Sequence, residues 1–154
     1  MKIERCEMPS FAVIGKEGST DEGPGFVPRL WKEATEHFGE VQPLAQKDEH
    51  GQPVGFWGAM SDKGRSFLPW ENGFSNGLYL AGVQCGIDQE APEGWCKWVI
   101  PAYEYLFVET EDAQTFGNMI HYLEENHFSL VGAVHDFICP QTGKEYQFFP
   151  IRKL

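Results

Sequence analysis

The stretch Met8-Pro9-Ser10-Phe11-Ala12-Val13-Ile14 returns later in the chain as Ile100-Pro101-Ala102-Tyr103-Glu104-Tyr105-Leu106. Proline, a small residue, an aromatic and a large apolar residue stand in the same order in both copies. Phe11 and Val13 alternate with residues of the opposite face, as do Tyr103 and Tyr105, and that is the period of a β-strand. Further out, Gly58-Ala59-Met60-Ser61-Asp62 returns as Gly132-Ala133-Val134-His135-Asp136, again in strand-like surroundings. Two matched pairs in the same order mark an internal repeat.

One helix falls between the members of each set. Phe26, Leu30, Trp31, Ala34 and Phe38 recur at helical spacing, with Pro28 suited to a first turn and Gly39 placed to end it. Phe116, Met119, Ile120 and Leu123 form the second stripe, with Glu111 and Asp112 near its amino end and Asn126 at its close. Last strands follow at Leu78–Val83 and Tyr146–Ile151. Each half thus reads strand, helix, strand, strand, with loops at Pro43–Pro53 and Asp62–Gly77. The expectation is an α+β fold: two pseudo-symmetric βαββ modules forming antiparallel sheet around a central ligand cleft. Residues 1–154 make a single domain, with module one at about 1–86, a linker at about 87–95 and module two at about 96–154.

Composition narrows the function. A chain of 154 residues, 42% hydrophobic and 23% charged, has the make-up of one folded domain that buries roughly two-thirds of its unfolded surface. A net charge of −11 repels phosphate backbones, so direct nucleic-acid binding is not expected. No apolar run is long enough for a membrane span, and the charged start does not suit a signal peptide, which predicts a cytoplasmic protein. Cys6, Cys85, Cys96 and Cys139 stand far apart with no CxxC and read as reduced, buried thiols; the five histidines form no ligand set. Neither a metal nor a cofactor is expected.

Each module buries one face of its sheet under its helix, so two copies should pair and leave a cleft at the join. Aromatic residues, 14% of the chain, supply candidates for its lining: Phe11, Trp57, Trp70, Tyr79, Trp98, Tyr103, Tyr105 and Phe148. For any single one core packing is the stronger reading, because large aromatics dominate cores as well as pockets. Trp70 stands apart, since Arg65–Asn72 has neither strand nor helix pattern, and a loop tryptophan beside an acid suits a lid or pocket wall.

The strand Val99–Tyr105, the helix after it, Val134-His135-Asp136-Phe137-Ile138-Cys139-Pro140 and the closing Glu145–Ile151 resemble the GyrI-like, or multidrug-effector, domains. These domains fuse to AraC-type and MerR-type regulators or stand alone, and the resemblance covers essentially the whole chain. It implies two βαββ modules that bind hydrophobic or cationic compounds between aromatics, facing a buried acid on the penultimate strand. That acid falls at Asp136, where the family usually carries glutamate. Asp136 then serves as counter-charge to a cation flanked by rings; the alternative is a turn or capping acid. Its counterpart Asp62, followed by Lys63-Gly64, reads instead as the head of a solvent loop.

Some stand-alone relatives are thought to hydrolyse strained, cyclopropane-bearing electrophiles, which keeps an enzyme reading open with Glu104 or Asp136 as acid or base. Glu104 alternates with Tyr103 and Tyr105 and should point away from them. Three classes remain, in this order: a small-molecule binder, a hydrolase of reactive xenobiotics, and an acidic contact inhibitor of a DNA enzyme such as gyrase. Neither helix is basic or closely followed by another, so any transcriptional role would pass through a separate regulator as partner.

Overall fold

In the computed structural model, which describes residues 1–154, the repeated prolines do not lie inside strands. Each is a corner between two. β1 (Glu4–Met8) stops before Pro9-Ser10 and β2 (Phe11–Ser19) begins after it, while β5 (Cys96–Ile100) and β6 (Tyr103–Glu109) flank Pro101-Ala102 in the same way. Proline lacks the N–H a central ladder needs, so it divides the segment rather than continuing through it. Each half therefore carries one strand more than the spacing predicts. The other elements are α1 (Phe26–Glu36), β3 (Phe56–Ser61), the single-turn α2 (Glu71–Phe74) and β4 (Leu78–Cys85), then α3 (Thr115–Glu125), β7 (His135–Ile138) and β8 (Glu145–Lys153).

The eight strands form one sheet in the order β1-β6-β8-β7-β3-β4-β2-β5, with every neighbouring pair antiparallel. Exchanging the halves maps β1 to β5, β2 to β6, β3 to β7 and β4 to β8, and the order then reads the same from either end. The expected α+β pair of copies is present, with an added feature: the first strand of each copy sits on the other, β1 on β6 and β5 on β2. Register repeats with it, since Phe11 faces Ile100 and Tyr103 faces Met8.

This exchange forces the sheet to curl. In a flat sheet β1 and β2 would lie about 29 Å apart, six strand spacings. The link Pro9-Ser10 spans at most about 11 Å. The two ends of the sheet must meet, and the packing shows that they do: Phe11, Val13, Trp98 and Ile100 from one end share a core with Tyr103 and Tyr105 from the other. On the outer side, Ala12, Ile14, Ala81 and Val83 pack under Phe26, Leu30 and Ala34 of α1. Leu106, Val108, Phe149 and Ile151 pack under Met119 and Leu123 of α3. Alternation along β2, β4, β6 and β8 thus feeds two different layers.

All four cysteines are free, but only Cys85 is buried. Cys6 and Cys139 are partly buried and Cys96 is exposed, which corrects the expectation of four buried thiols; Cys96 stands at the very start of β5, an outermost strand, beyond the inner core that covers Trp98 and Ile100 on the same face. No helix is long and apolar enough to cross a membrane.

Candidate functional site

Each helix covers its own half, α1 over β2 and β4 and α3 over β6 and β8, so the central seam between β3 and β7 has no helix over it. Asp136 of β7 stands on this seam. Its neighbours in sequence, His135 and Phe137, point to the inner core, and the strand period sends Asp136 outward, into the cleft between the helices.

Across the seam Asp136 faces Gly58. A side chain on Gly58 would overlap the Tyr79 hydroxyl, so the glycine is what lets Tyr79 of β4 reach over β3. Tyr79 donates a hydrogen bond of 2.9 Å to Asp136 Oδ2, and Trp31 of α1 donates from Nε1 to the Tyr79 oxygen at 3.0 Å. Burial and the nearby Glu145 push the Asp136 carboxyl up to about 6, against the lowering effect of the Tyr79 hydroxyl. Burial and Asp136 hold the Tyr79 hydroxyl well above its ordinary range, so it remains a donor.

Two cavities open from Asp136. One, of about 310 Å³, lies between α1 and the sheet and is lined by Val27, Trp31, Tyr79, Ile138, Glu145 and Gln147 among others. The second, of about 270 Å³, is walled by Met60, Trp70, Phe74, Phe116 and Val134. No lysine, arginine or histidine lines either one. Gln147 belongs to both, and its Oε1 is buried without a hydrogen-bond partner. No cluster of His, Cys, Asp or Glu side chains is arranged to hold a metal ion.

The sequence candidates separate onto the two faces. Asp136, Tyr79 and Trp70 line the cleft. Trp70 is fixed by donating from Nε1 to the Leu78 carbonyl at 2.8 Å, and Gly77 leaves the space its ring occupies. Phe11, Trp57, Trp98, Tyr103, Tyr105 and Phe148 are buried together in the inner core, on the opposite face from Asp136. Their rings pack on one another, as in Phe11–Trp57 at 4.8 Å and Tyr105–Phe148 at 5.6 Å between centroids. Their placement as cleft lining is corrected: the modules meet through these side chains, and the join they form is filled.

Glu104 is corrected as an acid–base candidate. It lies on the α3 face of β6, bridging Arg5 at 2.6 Å and Arg152 at 2.9 Å, and these guanidiniums hold its carboxyl down to about 2. A carboxylate so paired ties β1, β6 and β8 together and is not free to exchange a proton near neutrality. Asp62, the counterpart of Asp136, accepts from the backbone N–H of Ser66 at 2.9 Å and of Leu68 at 3.3 Å, and heads its loop as expected.

Trp31, Phe74, Phe116 and Gln147 are site residues that the sequence reading did not single out. A signal existed for one of them. Val27 and Trp31 form a stripe beside the buried Phe26, Leu30 and Ala34, wider than one sheet half can cover.

The fold is that of the GyrI-like effector-binding domains. The structure is similar to SAV2435 bound to tetraphenylphosphonium, with 14% identity and a TM-score of 0.66 over 99% of this chain and 94% of that one. It is likewise similar to the EcmrR C-terminal domain, with 14% identity and a TM-score of 0.64 over 99% and 98% of the two chains. An integron cassette protein from the mobile metagenome of Vibrio cholerae matches at 13% identity and a TM-score of 0.54, over 97% and 95%. No protein-family model matches the sequence, and no curated protein does.

Proposed function

We propose that this chain binds small hydrophobic cations in the cleft between α1, α3 and the sheet, with the positive charge on Asp136. The observation that carries the reading is an acid without a counter-ion: one tyrosine hydroxyl holds Asp136, and no basic side chain lines the cavities it opens into. A buried carboxylate in this position lacks a partner that a cation would supply. Trp31, Trp70, Phe74 and Phe116 offer aromatic surface around it, where cation–π attraction adds about 0.5–2 kcal/mol. The likeness to a structure holding tetraphenylphosphonium supports the same class of ligand.

A hydrolase is the second reading, and one feature favours it. Asp136, pushed up to about 6 and hydrogen-bonded by Tyr79, is poised to exchange a proton near neutrality. The two readings part in one experiment. Tetraphenylphosphonium titrated into the protein should quench tryptophan fluorescence saturably and be recovered intact by chromatography. Asp136→Asn should weaken that binding by about tenfold or more while neutral triphenylphosphine oxide binds unchanged. Unaltered cation affinity in the variant would remove the counter-charge, and turnover of a cyclopropane-bearing compound by the wild type alone would establish the enzyme.

A further inference from the structure

A third cavity, of about 340 Å³, lies under the C-terminal end of α1 and is walled by Ala34, Phe38, Val41, Phe56, Val83 and Trp95. Trp31 and Ile138 line this cavity and the Asp136 cavity both, so the two adjoin through these side chains. Protein interiors are close-packed, and side chains bordering empty apolar space forgo dispersion contacts. Collapse into the space is resisted by a fixed wall: Trp95 donates from Nε1 to Glu40 at 3.0 Å, and the Lys16 ammonium sits 4.2 Å from its ring centre. The Trp31 indole N–H is already given to Tyr79, so its ring presents only hydrocarbon to the boundary between the two cavities.

We infer that this cavity is an apolar subsite of the Asp136 cleft, and that the preferred ligand is an amphiphilic monocation. Its compact cationic head lies at Asp136, beside Glu145, and a linear hydrocarbon arm runs past Trp31 and Ile138 along α1. From Trp31 to its end at Glu36 helix α1 advances about 7.5 Å, and Phe38 stands two residues beyond that end, which together match an arm of about eight carbons. The inference rests on the cation site at Asp136, and the arm is what it adds.

The test is a calorimetric titration of the protein with n-alkyltrimethylammonium salts from ethyl to decyl, below their micelle concentrations, with n-alkyl sulfates as controls. Affinity should rise by about fourfold per methylene and level off near octyl. The ratio of octyl to ethyl affinity should collapse in Ala34→Phe, whose ring fills the subsite, and octyl sulfate should not bind. Binding of every ammonium salt with no dependence on length would overturn the arm and leave the cation site standing. No ammonium binding at any length would overturn the cation site itself. Equal binding of octyl sulfate would overturn both, by showing detergent-like association. The wild-type series decides the question even if Ala34→Phe fails to fold.

Discussion

The two faces of the central strands are both rich in aromatic side chains and do opposite things. On the inner face Trp57, Tyr105, Phe148 and Phe137 fill the space where the halves meet, with ring centroids as close as 4.7 Å. On the outer face Trp31, Tyr79, Trp70 and Phe116 border open cavities. The difference lies in what covers each face. Inside, the curled sheet covers itself, and every ring finds another. Outside, two helices cover the two halves and leave the seam between β3 and β7 open. Aromatic content therefore does not locate the site; a position on the seam does.

The largest expected effect tests this contrast through two tryptophans. Trp57 is 2% exposed at the centre of the inner core, so Trp57→Ala should cost about 3–5 kcal/mol in chemical denaturation. Trp31→Ala removes a half-buried side chain from a cavity wall and should cost about 1 kcal/mol, while abolishing much of the ligand-induced fluorescence change. Equal losses of stability would mean that the outer face is core as well.

The paired aspartates sharpen the comparison at a smaller scale. Asp62 satisfies backbone N–H groups of its loop, and Asp62→Ala should cost about 1 kcal/mol without altering cation binding. Asp136→Ala deletes an uncompensated carboxylate and should leave stability unchanged or raised, while cation binding is lost. Denaturation and titration of both variants check the pair, and the reverse assignment would place the ligand acid on Asp62.

The repeat in sequence was enough to establish two copies, their helices and the antiparallel sheet, because alternation and helical stripes are local signals. Asp136 was legible through the resemblance to the GyrI-like domains, which implies a buried acid on the penultimate strand, and its apolar neighbours agreed with that burial. The exchange of β1 and β5 was hidden, since a proline corner inside an alternating stretch keeps the same period on both sides of it. The site was half legible for a related reason. Period two says that Tyr103 and Tyr105 share a face and that Asp136 and His135 do not, but it does not say which face is outside. That depends on where the helices pack. Gln147 was invisible because its face is set by Phe149 and Ile151, whose own direction follows from α3.

His135 and Asp136, adjacent on β7, carry the contrast into pH. His135 is fully buried on the inner face, and its Nδ1 accepts from the Met60 N–H at 3.0 Å. Burial pushes its imidazole from 6.5 down to about 3, so the folded protein keeps it neutral while the unfolded chain protonates it. Its contribution to stability is complete above 6.5 and is lost as pH falls towards 3. Asp136, raised from 3.8 to about 6, has the opposite sign: the folded state takes up its proton first, so stability is gained as pH falls from 6 to 3.8. Cation binding needs the ionised form, so affinity should be flat above pH 6 and fall by about tenfold per unit below it. Titrations of tetraphenylphosphonium at pH 5, 6 and 7 measure this, with Asp136→Asn expected to show weak binding at every pH. In the same range His135→Phe should flatten the acid loss of stability and leave the pH profile of binding in place. If instead the His135 variant shifts the binding profile and the Asp136 variant does not, the ligand sits on the inner face and the assignment of the two faces is reversed.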